Sequence, residues 1–190
     1  MRARMALHQA DIAVEIREVS LRNKPQHLLA VSPKGTVPVL VLPNQHVIEQ
    51  SLDIMHWALR QHDAQGWLAA GETDTAQLIH TNDTAFKQAL DGYKYPERYP
   101  AFPATHFRQQ GEMFLQGLEV RLNAHAYLFG DQPSLADVAI FPFIRQFAAV
   151  DNEWFASAPY PQLQAWLNGW VNSALFERIM QKHPTYQDAI

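Results

Sequence analysis

Ser32-Pro33-Lys34-Gly35-Thr36-Val37-Pro38-Val39-Leu40 and, soon after it, Glu49-Gln50-Ser51-Leu52-Asp53-Ile54 are the two pieces of sequence on which the fold turns. Ser, Pro, Lys and Gly over 32–36 are loop chemistry. The apolar run from Val37 to Leu42, with Pro38 at its mouth, reads as a buried strand. Pro43-Asn44-Gln45 then reverses the chain into a second short strand over 46–49, making a hairpin. Ser51 is placed to cap a helix that runs to about residue 62. Asp53 falls in its first turn, where the positive end of the helix dipole favours a carboxylate.

Toward the N-terminus, Ala3, Ala6, Leu7 and Ala10 recur at helical spacing, with Arg2 and Arg4 off that face. Met1, Ala3, Met5 and Leu7 also alternate, but the Ala and Arg content favours helix. Ile12, Val14 and Ile16 alternate as a strand over 12–19. Pro25 suits the first turn of a short helix ending near Ala30. Residues 1–62 therefore read α-β-α-β-β-α, and 63–72 read as a linker. From residue 73 to 190 the periodicity is helical throughout. Helices are predicted over 73–93, from Ala104 (with Phe107, Gly111, Phe114, Leu118 and Leu122 on one face), over 134–150, 161–171 and 173–182.

The 190 residues are 47% hydrophobic and 18% charged, with a formal net charge of -4, which is globular composition. There is no basic cluster with interleaved aromatics, so nucleic acid is not an expected partner. No apolar run approaches the length that spans a bilayer, and no apolar stretch follows the N-terminal charges, so a membrane and a signal peptide are not expected either. Cysteine is absent, which excludes a disulfide scaffold, a thiolate metal site and thiol chemistry by these residues. The expected compartment is the cytoplasm.

Three motifs together resemble the cytosolic glutathione transferases: the Ser32–Leu40 loop, the Gln50-Ser51 helix start, and Ser134-Leu135-Ala136-Asp137-Val138-Ala139-Ile140, which looks like the family's capping box. The resemblance covers nearly the whole chain. It implies a thioredoxin-like α/β domain followed by an all-helical one, a homodimer, and glutathione as a substrate used on an electrophile or a disulfide. Met1-Arg2-Ala3-Arg4-Met5-Ala6-Leu7 and Asn23-Lys24-Pro25 look most like the omega class and related bacterial cysteine-type members. In those, a Cys-Pro-x-x turn directly precedes the segment matching Met1. The resemblance therefore implies that the catalytic turn and the first strand lie upstream, and no catalytic residue is assigned within the chain. The sheet would then be completed from outside the chain or would close to three strands, with 12–19 shifting against 37–42. A non-catalytic binding module of the same fold is the alternative.

The resemblance gives each motif a second reading. Val37-Pro38 either starts a strand or, as a cis bond, presents the Val37 backbone to the cysteinyl unit of glutathione, as an added strand would pair. Gln50 and Ser51, with the free N–H groups of the following helix, suit the γ-glutamyl carboxylate, and Ser51 is an N-cap in either case. Lys24 is a solvated surface lysine or a point charge for the glycyl carboxylate. Tyr93, Tyr95 and Tyr99, near Phe86, His106 and Phe107, either line a pocket for the electrophile or, preferably, form a rigid corner between helices. Ser134 and Asp137 are structural in both readings. The nine histidines form no metal-ligand pattern, and no metal is expected.

Overall fold

Arg2–Gln9 forms the first helix, α1, and buries Ala3, Met5, Ala6 and Leu7. Arg2, expected off that face, is buried as well. The helix ends as the chain's chemistry allows: Asp11 takes a left-handed φ of 54°. That turn lets the Ile12 N–H reach the Leu7 carbonyl at 2.9 Å and the Asp11 N–H reach His8 at 3.1 Å, a Schellman closure. The coordinates are a computed structural model and describe residues 1–187. They group into two compact units, Met1–Ala64 together with the chain from Ala174 onward, and Gln65–Ser173.

In the first unit the segment 12–19, expected as a strand, is not one. It carries neither helix nor strand and is largely exposed, with Val14 40% and Ile16 37% accessible. Its one ladder contact among the described residues is an isolated parallel bridge between Glu18 and Thr185, with the Tyr186 N–H donating to the Glu18 carbonyl at 2.7 Å. Tyr186 pins the segment from the side, its ring lying 4.5 Å from His27 and 4.7 Å below the Arg17 guanidinium. Arg4 on α1 holds Glu18 at 2.5 Å. An alternating pattern yields a strand only if a neighbour takes its backbone groups, and no described strand lies beside this one.

After α2 (Gln26–Val31), strands β1 (Leu40–Val41) and β2 (Val47–Ile48) pair antiparallel, Leu40 opposite Ile48 and Val41 opposite Val47. The hairpin expected over 37–49 is present but short. The run expected to be buried is half-exposed, Val41 being 41% accessible, because the sheet has two strands and β1 is paired on one side only. Among the described residues the sheet does not close to three strands. Helix α3 (Ser51–Gln61) buries Ile54, Met55, Ala58 and Leu59, and packs on α1 to form this unit's core.

The second unit is helical. One helical run covers α4 (Glu72–Thr81), a π-helical turn (Asn82–Phe86) and α5 (Lys87–Lys94). A 3-10 turn (Pro96–Arg98) leads to α6 (Ala104–Ala124), α7 (Leu135–Ala148), α8 (Asn152–Ser157) and α9 (Pro161–Val171). The last helix, α10 (Ala174–Ile179), groups with the first unit and packs on α1, whereas its helical pattern alone places it with the helices before it. Among the described residues no named strand follows β2, and no helix is long and apolar enough to cross a membrane.

Asp137 organises the second unit. Its carboxylate accepts from the Ser134 N–H at 2.9 Å while its own N–H donates to the Ser134 hydroxyl oxygen at 3.5 Å, closing the expected capping box, and the Ser134 hydroxyl donates to the carboxylate at 2.6 Å. It also accepts from the Leu128 N–H at 3.0 Å and from the Trp166 indole at 2.8 Å, so it ties a loop and α9 to the start of α7. Burial pushes its pKa up, against the pull of those four donors.

Candidate functional site

The loop before β1 and the start of α3 are drawn together by Ser32 and Glu49. Ser32 is fully buried, and its hydroxyl donates to Glu49 Oε1 at 2.6 Å. Lys34 Nζ stands 3.8 Å from Glu49 Oε2. Between them Gly35 takes φ +58°, a conformation that favours glycine. A Cβ there would meet Leu29 at 2.9 Å and the Lys24 side chain at 3.0 Å, so Lys24 lies across the loop at its glycine. The Val37–Pro38 bond is cis, as expected, and Val37 is 46% exposed.

Helix α3 starts differently from expectation. Ser51 is its first helical residue, and Gln50 occupies the cap position with no side-chain capping bond. The sequence places an N-cap there because serine is the usual one. An uncapped start leaves the first-turn N–H groups of α3 without an internal partner, at the positive end of the dipole. Beside it lies a cleft of about 480 Å³ lined by Lys34, His46, Val47, Ile48, Glu49, Gln50 and Asp53.

Of the sequence-predicted residues, Gln50 lines this cleft, Ser51 follows it in α3, Lys24 sits over Gly35, and Val37 and Pro38 lie on the loop that Ser32 anchors to Glu49. The sequence reading gave Ser32, Lys34 and Glu49 no role. The signal was present in that both motifs hold one polar partner each, but a hydroxyl–carboxylate pair 17 residues apart is visible only in three dimensions.

The four aromatic candidates separate. Tyr93 is buried against Phe147, ring centroids 5.0 Å apart, and burial raises its hydroxyl's pKa while Arg108 opposes the rise. Tyr95 is flanked by Lys94 and Arg98, at 5.0 and 4.3 Å from its ring. Tyr99 and His106 both pack on Phe107, each at 5.3 Å, and Phe102 stacks on His106 at 4.4 Å. Among the described residues no group of three or more His, Cys, Asp or Glu is placed to hold a metal ion.

Family models match both parts of the chain: the glutathione S-transferase N-terminal domain over residues 1–66 and the glutathione S-transferase C-terminal domain over residues 65–169. Among curated proteins, the chain is 25% identical over 171 residues to glutathione S-transferase U28 of Arabidopsis thaliana, covering 87% of this chain and 76% of that protein. It is 22% identical over 176 residues to mouse glutathione S-transferase omega-1, covering 87% and 69%. Among solved structures, the ternary complex of BphK, a bacterial glutathione S-transferase, superposes with a TM-score of 0.78 at 22% identity, covering 93% of this chain and 90% of that one. A glutathione transferase from Burkholderia graminis, with two glutathione molecules bound per subunit, gives a TM-score of 0.78 at 18% identity, covering 93% and 81%.

Proposed function

Because the chain belongs to the glutathione S-transferase family, we propose that it binds glutathione on the first unit, between the cis-Pro38 loop and the start of α3, as a cytoplasmic homodimer. The observation that carries this reading is the uncapped N-terminus of α3, which opens beside a polar cleft at Gln50. The γ-glutamyl carboxylate takes the free first-turn N–H groups, with Gln50 and the Ser51 hydroxyl as further donors. The Val37 backbone, exposed beside Pro38, pairs with the cysteinyl amide as a strand edge would. Lys24, stretched over Gly35, supplies a point charge to the glycyl carboxylate.

In this scheme the attacking sulfur is glutathione's own; these 190 residues hold no cysteine. The thiolate forms a carbon–sulfur bond with a small electrophile as the leaving group departs with its electron pair. On a glutathione mixed disulfide the same thiolate attacks sulfur and expels the other thiolate. No residue of the chain is assigned as the group that activates the thiol.

Calorimetric titration with glutathione tests the reading. Wild-type protein should bind, and Gln50→Ala should weaken binding by about tenfold, the effect of losing a hydrogen bond to a charged group. No heat at millimolar glutathione would overturn it. Turnover of a chromogenic electrophile by the protein that binds separates the transferase from the non-catalytic module of the same fold.

A further inference from the structure

The loop that carries Val37 and Pro38 is closed at both ends on two neighbouring residues. At its far end Leu40 pairs with Ile48 across the hairpin. At its near end the Ser32 hydroxyl donates to Glu49 Oε1 at 2.6 Å. Ser32 is fully buried, and all three of its polar groups are used. Its N–H ends α2 on the Leu28 carbonyl at 2.8 Å, and its carbonyl accepts the Gly35 N–H at 2.8 Å. A buried hydroxyl needs a partner, and the Glu49 carboxylate supplies it.

Glu49 stands between the two halves of the site. It follows β2, precedes Gln50 at the cap position of α3, and lines the cleft. Its other oxygen lies 3.8 Å from Lys34 Nζ, on the same loop as Val37. The Lys34 side chain is 66% exposed, so that ion pair adds little. The bond from the buried hydroxyl to the carboxylate is the strong contact. A carboxylate lining a cleft for a peptide that itself carries two carboxylates repels its ligand. Its use as the loop's anchor accounts for its place there.

We propose that Glu49 is a positioning residue: by anchoring the loop at Ser32 it fixes the distance from the Val37 backbone to the start of α3, and so selects the length of the ligand's glutamyl arm. The inference rests on the glutathione-binding reading and adds a determinant of selectivity to it. In that reading one ligand engages both halves at once, its amino-acid head at α3 and its cysteinyl amide at Val37. Two methylenes separate head from amide in glutathione, and one does in its β-aspartyl homologue, which keeps the same head. With the loop closed at both ends, only the longer arm meets both halves. The shorter arm engages one half, and its binding does not feel where the other half stands. Without Glu49 the loop is held at Leu40 alone, and the fixed spacing is lost.

Calorimetry with glutathione and with β-aspartyl-cysteinyl-glycine tests it. Wild-type protein should favour glutathione by about tenfold or more, the worth of one methylene in a fixed site. Glu49→Ala and Ser32→Ala should each weaken glutathione by about tenfold. Each should weaken the shorter homologue by less than about threefold, so the preference collapses. The double variant should lose no more than either single one, because both break the same bond. Glu49→Gln, whose amide oxygen accepts from Ser32, should keep the preference. Equal losses for both ligands, or no rescue by glutamine, would mark a merely structural residue and overturn the proposal. If Glu49→Ala does not fold, Ser32→Ala against Glu49→Gln decides, and equal preferences in those two overturn it. Wild-type protein that binds neither ligand overturns the glutathione site together with this inference. Wild-type protein that binds glutathione but ignores arm length overturns this inference alone.

Discussion

The two units satisfy their backbones and charges in opposite ways. In the helical unit, polar groups are used up internally: one buried carboxylate, Asp137, accepts from four donors, and Glu119 caps a neighbouring helix. In the first unit, among the described residues, the ladder is sparse: the segment 12–19 has one bridge, β1 is paired on one side, and α3 begins without a side-chain cap. The contrast suggests a division of work, with closed networks holding structure and open backbone groups available for recognition.

The sharpest way to break that comparison is to remove Asp137. Asp137→Ala leaves buried donors unpaired and should cost about 3 kcal/mol or more in chemical denaturation. Ser32→Ala, which removes the loop anchor of the first unit, should cost about 1 kcal/mol. Comparable losses would erase the distinction. The same carboxylate predicts a pH dependence. Its folded pKa is raised by burial, so the folded state holds the proton more tightly than the unfolded state. Its contribution is fully present below the ordinary carboxylate value and is lost as pH rises through the raised one. The stability difference between wild type and Asp137→Asn should therefore shrink with rising pH in that window, and a difference that grows would contradict the buried-carboxylate account.

Packing gives a smaller contrast within the helical unit. A Cβ on Gly92 would stand 2.3 Å from a Phe107 ring atom, whereas one on Gly169 meets nothing within 4 Å. Gly92→Ala should destabilise by about 1–3 kcal/mol through overpacking. Gly169→Ala should stabilise by up to about 1 kcal/mol from helix propensity. Thermal melts of the pair check both signs. The smallest effect belongs to the first unit: Ile16→Ala should change stability by less than about 0.5 kcal/mol, since Ile16 is a surface position outside any sheet. A loss several times larger would mean that 12–19 is a packed strand after all.

The helical unit was legible because its signals are local. The spacing of Phe107, Gly111, Leu118 and Leu122 and the Ser134–Asp137 box each state their structure within a few turns. The cis Val37–Pro38 bond and the hairpin were legible from motif and turn chemistry. The first unit's departures are non-local. Alternation of Ile12, Val14 and Ile16 says which faces a strand would have, not whether a neighbour exists to pair with it. The Ser32–Glu49 bond and the packing of α10 on α1 likewise join residues far apart in sequence. At α3, the serine that looks like the cap is one residue inside the helix, and the site gains open N–H groups as a result.

The central claim is that glutathione is held by the open backbone groups of the first unit. Amide chemical-shift mapping by NMR during a glutathione titration tests it directly. The account predicts shifts at Val37 and at Ser51, Leu52 and Asp53 that saturate together, with the amides of α7 around Asp137 unmoved. Saturable shifts confined to the helical unit, or none at millimolar glutathione, would contradict it.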